Sequence, residues 1–140
     1  MSEVQKKVLA QEANPGLRVY LLWVPMFRGM ERDVPTASRE MPDARVAHYW
    51  DGESVTVKGY RETLALSEDA WDIFLIYPPG ATWDADIPPV PAFWMHQLGT
   101  ARRPRVAGPY LNADIFRDKL REISAAAIAP RTSTGLHPIR

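Results

Sequence analysis

Hydrophobic and polar positions follow one another along the chain in patterns that predict four β-strands. Two nearly continuous apolar runs, at residues 17–24 and 70–77, are typical of strands covered on both faces, as in parallel sheets. Residues 45–50 predict a shorter strand, and residues 93–98 alternate in the manner of a strand with one exposed face. Thirteen prolines divide the chain into short elements of this kind.

Apolar residues at helical spacing predict four helices around these strands. The last helix is the clearest, because its apolar residues form one stripe from Ile115 to Ile123 and Pro130 ends it. The predicted helices cover residues 2–13, 33–41, 53–66 and 112–129. The order of elements is therefore α-β-α-β-α-β-β-α, which indicates an α/β fold.

This order also predicts how the strands pair. A strand-helix-strand connection implies a parallel pair for the first two strands, with a right-handed crossover. The last two strands have no helix between them, so we expect an antiparallel pair. A mixed four-stranded sheet flanked by helices, with an extra N-terminal helix, satisfies both conditions; another small α/β sandwich is the alternative. We expect one domain over residues 1–129 and a flexible tail over residues 130–140.

Composition narrows the classes of function. The chain has 140 residues, which fits one domain, and 46% of them are hydrophobic, as in globular proteins. It has no cysteine, which excludes thiolate catalysis, disulfide exchange and cysteine-ligated metals. Seventeen basic side chains balance 17 acidic ones, which argues against a nucleic-acid partner. No apolar run has the length of a signal peptide or a bilayer span, so we expect a cytoplasmic protein without a membrane partner.

The element order between residues 17 and 129 resembles that of the thioredoxin-like superfamily. Trp23-Val24-Pro25-Met26 stands where that family has its Trp-Cys-x-x-Cys, and Pro91 stands where the family places a cis-proline. The resemblance implies a mixed four-stranded sheet; because both family cysteines are missing, it implies no thiol redox activity. Three short segments are also similar to a group of small bacterial proteins for which we know no activity: residues 48–51, 71–72 and 94–98.

Met26, Met30 and His96 form a candidate Cu(I) site. The copper-carrying branch of thioredoxin-like proteins holds its metal with a Cys-x-x-x-Cys in this loop and a distant histidine, and the two methionines have the same spacing. Thioether and imidazole groups suit Cu(I), although methionine is also a common filler of apolar cores. His48 with Asp51 and Glu53 would form a zinc or iron site only if the fold brought His96 close. We expect no cofactor and keep metal binding as a second hypothesis.

Aromatic residues beside the proline-rich stretch form a candidate contact surface. Exposed aromatics near proline often mark partner-binding or dimer surfaces, and the alternative is a satellite cluster under a long loop. The cis-proline edge of thioredoxin-like proteins commonly contacts extended peptides, so the resemblance favours residues 91–94. The leading hypothesis is a non-redox module that binds a partner protein, or a second copy of itself, through Trp83, Pro91, Phe93 and Trp94.

No motif singles out a catalytic residue. No serine has a Gly-x-Ser-x-Gly context, and no glycine-rich phosphate loop is present. Arg102, Arg103 and Arg105 would meet a phosphate or an acidic partner, although such a group in a neutral chain is more often a solvated loop. The remaining alternative is a small-molecule enzyme or sensor with a pocket between two loops, Pro25 to Arg32 and Pro88 to Pro91. The sequence favours binding over catalysis.

Overall fold

A computed structural model of the chain describes residues 2–128, and within them the fold is mixed α/β, as predicted. The α-helices are α1 (Ser2–Lys7), α2 (Val34–Ala37), α3 (Val55–Thr63) and α4 (Ala113–Ile128). The strands are β1 (Val19–Trp23), β2 (Val46–Trp50), β3 (Ile73–Ile76), β4 (Phe93–His96), β5 (Gly99–Thr100) and β6 (Arg103–Pro104). Short 3-10 helices are Leu9–Gln11, Glu31–Asp33 and Ser38–Glu40.

Strands β1 and β2 pair in parallel, as the strand-helix-strand order predicted. The register runs from Val19 opposite Val46 to Trp23 opposite Trp50. The ladder ends where the N–H of Asp51 donates to the carbonyl oxygen of Trp23 at 2.8 Å. The crossover between the two strands contains α2 and two of the 3-10 helices.

Strands β3 and β4 pair antiparallel, which confirms the prediction for two strands without an intervening helix. Ile73 lies opposite His96, and Ile76 lies opposite Phe93. Side chains alternate between the two faces of the pair, and each face packs on its own apolar cluster. The α4-side cluster contains Val4, Val8, Ile76, Met95, Leu111, Ala113, Phe116 and Leu120. The α3-side cluster contains Tyr60, Leu66, Ala70, Leu98 and Val106.

The predicted four-stranded sheet does not form within residues 2–128. Strands β1–β2, β3–β4 and β5–β6 make three separate two-stranded sheets, and the last lies in a segment predicted as a loop. The outer edge of β4 is already occupied: the N–H of His96 donates to the Pro109 oxygen (3.1 Å), and the N–H of Leu111 donates to the His96 oxygen (2.7 Å). The apolar run of β1 did not predict burial on both faces, because Tyr20 is 63% exposed and Leu22 is 40% exposed. Apolar runs also do not predict which segment takes an edge.

Arginines hold the N-terminal helical segment on the rest of the fold. Its predicted single helix over residues 2–13 is α1 followed by a 3-10 turn. Carbonyl groups at the end of a helix have no donor within it, and Arg45, Arg117 and Arg121 supply donors here. The acceptors are the carbonyl oxygens of Lys7 (3.3 Å), Leu9 (2.8 Å), Gln11 (2.9 Å) and Glu12 (2.5 Å).

The structure bears on the expected lack of a bilayer span, but it does not describe the expected C-terminal tail. No helix within residues 2–128 combines the length and the apolar character that crossing a bilayer requires. The predicted tail at residues 130–140, and the predicted domain end at residue 129, lie outside the described residues.

Candidate functional site

The proline-rich loop between β3 and β4 is anchored by two hydroxyl groups, one at the end of helix α3 and one directly after strand β3. Thr63 donates to the carbonyl oxygen of Pro88 at 2.7 Å, and Tyr77 donates to that of Pro89 at 2.6 Å. Residues 82–90 of this connection are called the proline loop below. These two bonds hold consecutive residues of the loop, Pro88 to the end of α3 and Pro89 to the end of β3.

The tyrosines of this anchor stay protonated near neutral pH. Burial raises the pKa of Tyr77 and also that of Tyr60. The two hydroxyl oxygens are 3.1 Å apart. Because the carbonyl of Pro89 can only accept, Tyr77 gives its proton to that carbonyl and Tyr60 donates to the Tyr77 oxygen. The resulting chain of hydrogen bonds connects the loop to the α3-side cluster.

Gly59 lets the proline loop approach α3 closely. A Cβ atom at this position would lie 2.6 Å from Cδ of Pro88 and 3.0 Å from its Cγ. Pro88 is buried, so its ring has little room to retreat. Glycine inside a helix is about 1 kcal/mol less favourable than alanine, and here it permits the contact between helix and loop.

A groove of about 590 Å³ opens between the end of α3 and the proline loop. Its volume lies within the range of about 300–1,000 Å³ that is common for ligand sites. Glu62 and Asp84 contribute carboxylates, and no lysine or arginine is among the described residues that line it. The apolar part of the lining is Ala85, Ile87, Pro88, Pro89 and Val90. The groove is therefore apolar with an acidic margin.

Apolar side chains of the proline loop remain open to solvent although the loop is anchored. Ile87 is 44% exposed and Val90 is 74% exposed. Trp83, a predicted contact residue, is 44% exposed but does not line the groove. Its ring meets Tyr60 edge to face at 6.0 Å, and its Nε1 donates to the Ala85 oxygen at 2.8 Å. Trp83 therefore braces the loop, while Ile87 and Val90 present apolar surface.

The other predicted contact residues pack within the fold: Pro91 is buried, and Phe93 and Trp94 are half-buried. The peptide bond before Pro91 is trans. Phe93 packs on the α4-side cluster, with its ring 6.4 Å from that of Phe116. Trp94 packs on the α3-side cluster and fills space that a Cβ at Gly108 would need. Both faces of β4 are covered, which corrects the expectation of one exposed face.

His96, the predicted copper ligand, is fully buried, and both of its ring nitrogens have partners. Nδ1 accepts the N–H of Leu98 at 3.1 Å, so Nε2 carries the proton and faces the Gly108 oxygen at 3.3 Å. Met26 and Met30 lie in the loop after β1, where Met30 is 48% exposed. Copper binding by His96 would require one of its two hydrogen bonds to break.

The second group of predicted metal ligands is also engaged within the fold. His48 accepts the indole N–H of Trp23 on Nδ1 at 3.2 Å. Asp51 accepts the backbone N–H groups of Val55 (3.0 Å) and Thr56 (2.8 Å), which caps the start of α3. Within residues 2–128, no set of three or more histidine, aspartate or glutamate side chains is placed to hold a metal ion.

The predicted arginine cluster is divided by the structure. Arg102 and Arg103 lie at the exposed end of the β5–β6 hairpin. Arg105 forms an ion pair with Glu68 instead. Among the described residues, no carboxylate pairs with Arg102 or Arg103. The hairpin therefore presents two exposed arginines.

Only one side of the groove could be inferred from the sequence. The proline loop was part of both the predicted contact surface and the predicted two-loop pocket, but α3 takes the place of the loop from Pro25 to Arg32. Glu62 and Thr63 look like ordinary exposed helix residues in the sequence. The usable signal was Ile87 and Val90, two apolar residues in an otherwise polar and proline-rich segment.

Comparison of the chain with protein-family models, with curated proteins and with solved structures found no match. The assignment of a function therefore rests on the groove and the residues around it.

Proposed function

We propose that this chain is a protein-binding module that holds an extended, positively charged segment of a partner in the groove between α3 and the proline loop. The observation that carries the proposal is exposed apolar lining beside two carboxylates. An apolar side chain of the partner would cover Ile87 and Val90, and a lysine or arginine would pair with Glu62 or Asp84.

Anchoring of the loop favours this function over a purely solvated surface. Thr63 and Tyr77 hold Pro88 and Pro89 in place before any partner arrives. A preordered loop loses less conformational entropy on binding than a mobile one. The exposed side chains beside the anchors are thus presented in a fixed arrangement.

The proposal keeps the hypothesis of a non-redox binding module and moves its surface from residues 91–94 to the groove. It does not depend on kinship with the thioredoxin-like superfamily, which stays a prediction from the order of elements. No contact of Met26, Met30 or His96 among the described residues favours metal carriage. In the groove, the Thr82 hydroxyl donates to the Asp84 carboxylate at 2.6 Å, but both residues are exposed, so this pair by itself does not favour catalysis.

The test is selection of peptides from a random display library on the purified chain. We expect enrichment of peptides that carry a basic residue beside an apolar one. Ile87→Ala should weaken the selected peptides about 10-fold, since losing buried apolar area of this size is worth about 1–2 kcal/mol. Ile115→Ala is the matched control, because Ile115 is 48% exposed, close to the value for Ile87, and lies on α4 outside the groove.

Removing the charges tests the acidic margin separately. The double variant Glu62→Gln and Asp84→Asn keeps the shape of both side chains and should abolish the preference for basic peptides. Enrichment without any charge preference, or equal losses for Ile87→Ala and Ile115→Ala, would overturn the proposal.

A further inference from the structure

The β5–β6 hairpin is a preformed projection with a buried base. Gly99 lies opposite Pro104, and Thr100 lies opposite Arg103. Gly99 has a φ of +86°, and a Cβ on it would lie 2.5 Å from the Arg103 oxygen, so the tight pairing requires glycine. Below it, the N–H of Arg105 donates to the oxygen of the fully buried Leu98 at 3.0 Å.

The tip of this hairpin has the chemistry that the groove is suited to accept. Arg102 and Arg103 are exposed, and each guanidinium offers five N–H donors. Ala101 and Pro104 beside them are small or apolar and carry no charge. The hairpin thus presents a basic tip, with Arg102 in the turn and Arg103 at the start of β6, and this tip is held in shape before binding.

We propose that the partner in the groove is the β5–β6 hairpin of a second copy of this chain. The inference rests on the proposed function and names its partner. Arg102 and Arg103 of one copy would face Glu62 and Asp84 of the other. A two-fold axis would make the same contact twice, because each copy carries both a hairpin and a groove. The zero formal net charge of the chain adds no overall repulsion.

The stability of such a dimer should depend on the salt concentration. Its ion pairs lie at the surface, where salt screens charges separated by more than about 10 Å at 0.1 M ionic strength and weakens closer pairs as well. We therefore expect a dimer at high protein concentration and low salt, and dissociation as salt is added.

Charge exchange between two variants tests the contact directly. The hairpin variant carries Arg102→Glu and Arg103→Glu, and the groove variant carries Glu62→Arg and Asp84→Arg. Each variant alone should be monomeric by sedimentation velocity under conditions in which the natural chain is a dimer. An equimolar mixture should be dimeric again, since an acidic hairpin then faces a basic groove, and a basic hairpin an acidic one.

Controls separate this contact from general effects of charge. Arg32→Glu with Arg39→Glu changes the net charge equally at exposed arginines outside the hairpin and should leave the dimer intact. Circular dichroism should show that all variants are folded. A natural chain that stays monomeric at high concentration and low salt refutes the inference, as does a mixture that stays monomeric. Groove-dependent binding of basic peptides by a monomeric chain would still uphold the proposed function, so the two failures are distinguishable.

Discussion

Replacing His96 by leucine should destabilise the fold, because two backbone groups would lose their hydrogen-bond partner. The imidazole is fully buried, and its Nδ1 accepts the buried N–H of Leu98. His96→Leu leaves that N–H without an acceptor, which costs about 1–3 kcal/mol. The bond to the Gly108 oxygen adds about 0.5–1.5 kcal/mol, because that residue is exposed and water replaces part of the interaction. The expected loss in the free energy of unfolding is therefore about 2–4 kcal/mol.

Urea unfolding at 25 °C measures this loss, and His48→Leu is the control. His48 also accepts a hydrogen bond on Nδ1, but it is half-buried and has one such partner, the indole of Trp23. We expect His48→Leu to cost about 1 kcal/mol. His96→Gln retains an acceptor and should recover part of the loss at that position.

A loss for His96→Leu no larger than that for His48→Leu would refute the reasoning. Urea unfolding of the natural chain with and without Cu(I) also tests the copper hypothesis. A copper site at His96 would let Cu(I) stabilise the natural chain by mass action, and Met26→Ala with Met30→Ala would remove the effect. The bonded state of His96 predicts no such stabilisation.

Four further predictions concern contacts that anchor the fold. Gly59→Ala should lower the free energy of unfolding by about 1–2 kcal/mol in urea unfolding, because its Cβ would overlap the ring of Pro88; a gain of about 1 kcal/mol, as at an open helix position, would contradict the close contact. Hydrogen bonds from Arg45 lower the pKa of Asp43 from 3.8 to about 2, so their stabilisation is present above about pH 4 and lost as the pH falls to 2. Asp43→Asn should lower the free energy of unfolding by about 1 kcal/mol at neutral pH, allowing for solvent screening. It should also weaken the dependence of that free energy on pH between about pH 4 and pH 2, and an unchanged dependence would contradict this. Tyr77→Phe should abolish the donation to the proline loop and weaken peptide binding several-fold by calorimetry, and unchanged affinity would show that this anchor is unnecessary. In the natural chain, the raised pKa of Tyr77 implies that stability falls as the pH rises above the ordinary tyrosine value of 10.0, where the unfolded chain ionises first.

Whether two strands pair in parallel or antiparallel was predictable where the segment that links them sets the direction. A helical crossover between β1 and β2 allows a parallel pair, and the missing helix between β3 and β4 allows an antiparallel one. The assembly of these pairs into one sheet was not predictable. The edge of β4 is taken by residues 109–111, which follow the β5–β6 hairpin in a segment without a strand pattern.

The candidate site was predictable on its loop side alone. Ile87 and Val90 stand out as apolar residues in a polar stretch, so a contact surface near the prolines could be expected. Glu62 joins them only because Gly59 allows Pro88 to pack on α3, and no local pattern encodes that approach. The role of His96 likewise depends on the fold, which brings the N–H of Leu98 and the carbonyl oxygen of Gly108 to the two nitrogens of its imidazole ring.

The sequence by itself determined the α/β class, the approximate places of the α-helices and of β1 to β4, and the absence of thiol chemistry. These properties follow from the spacing of apolar residues and from residue types, which act over a few neighbouring positions. Only the tertiary structure decided that the strands form separate pairs, that Phe93 and Trp94 pack on the two apolar clusters, and that a groove opens between α3 and the proline loop. Those properties depend on contacts between distant segments, and such contacts are selected by how the whole chain packs.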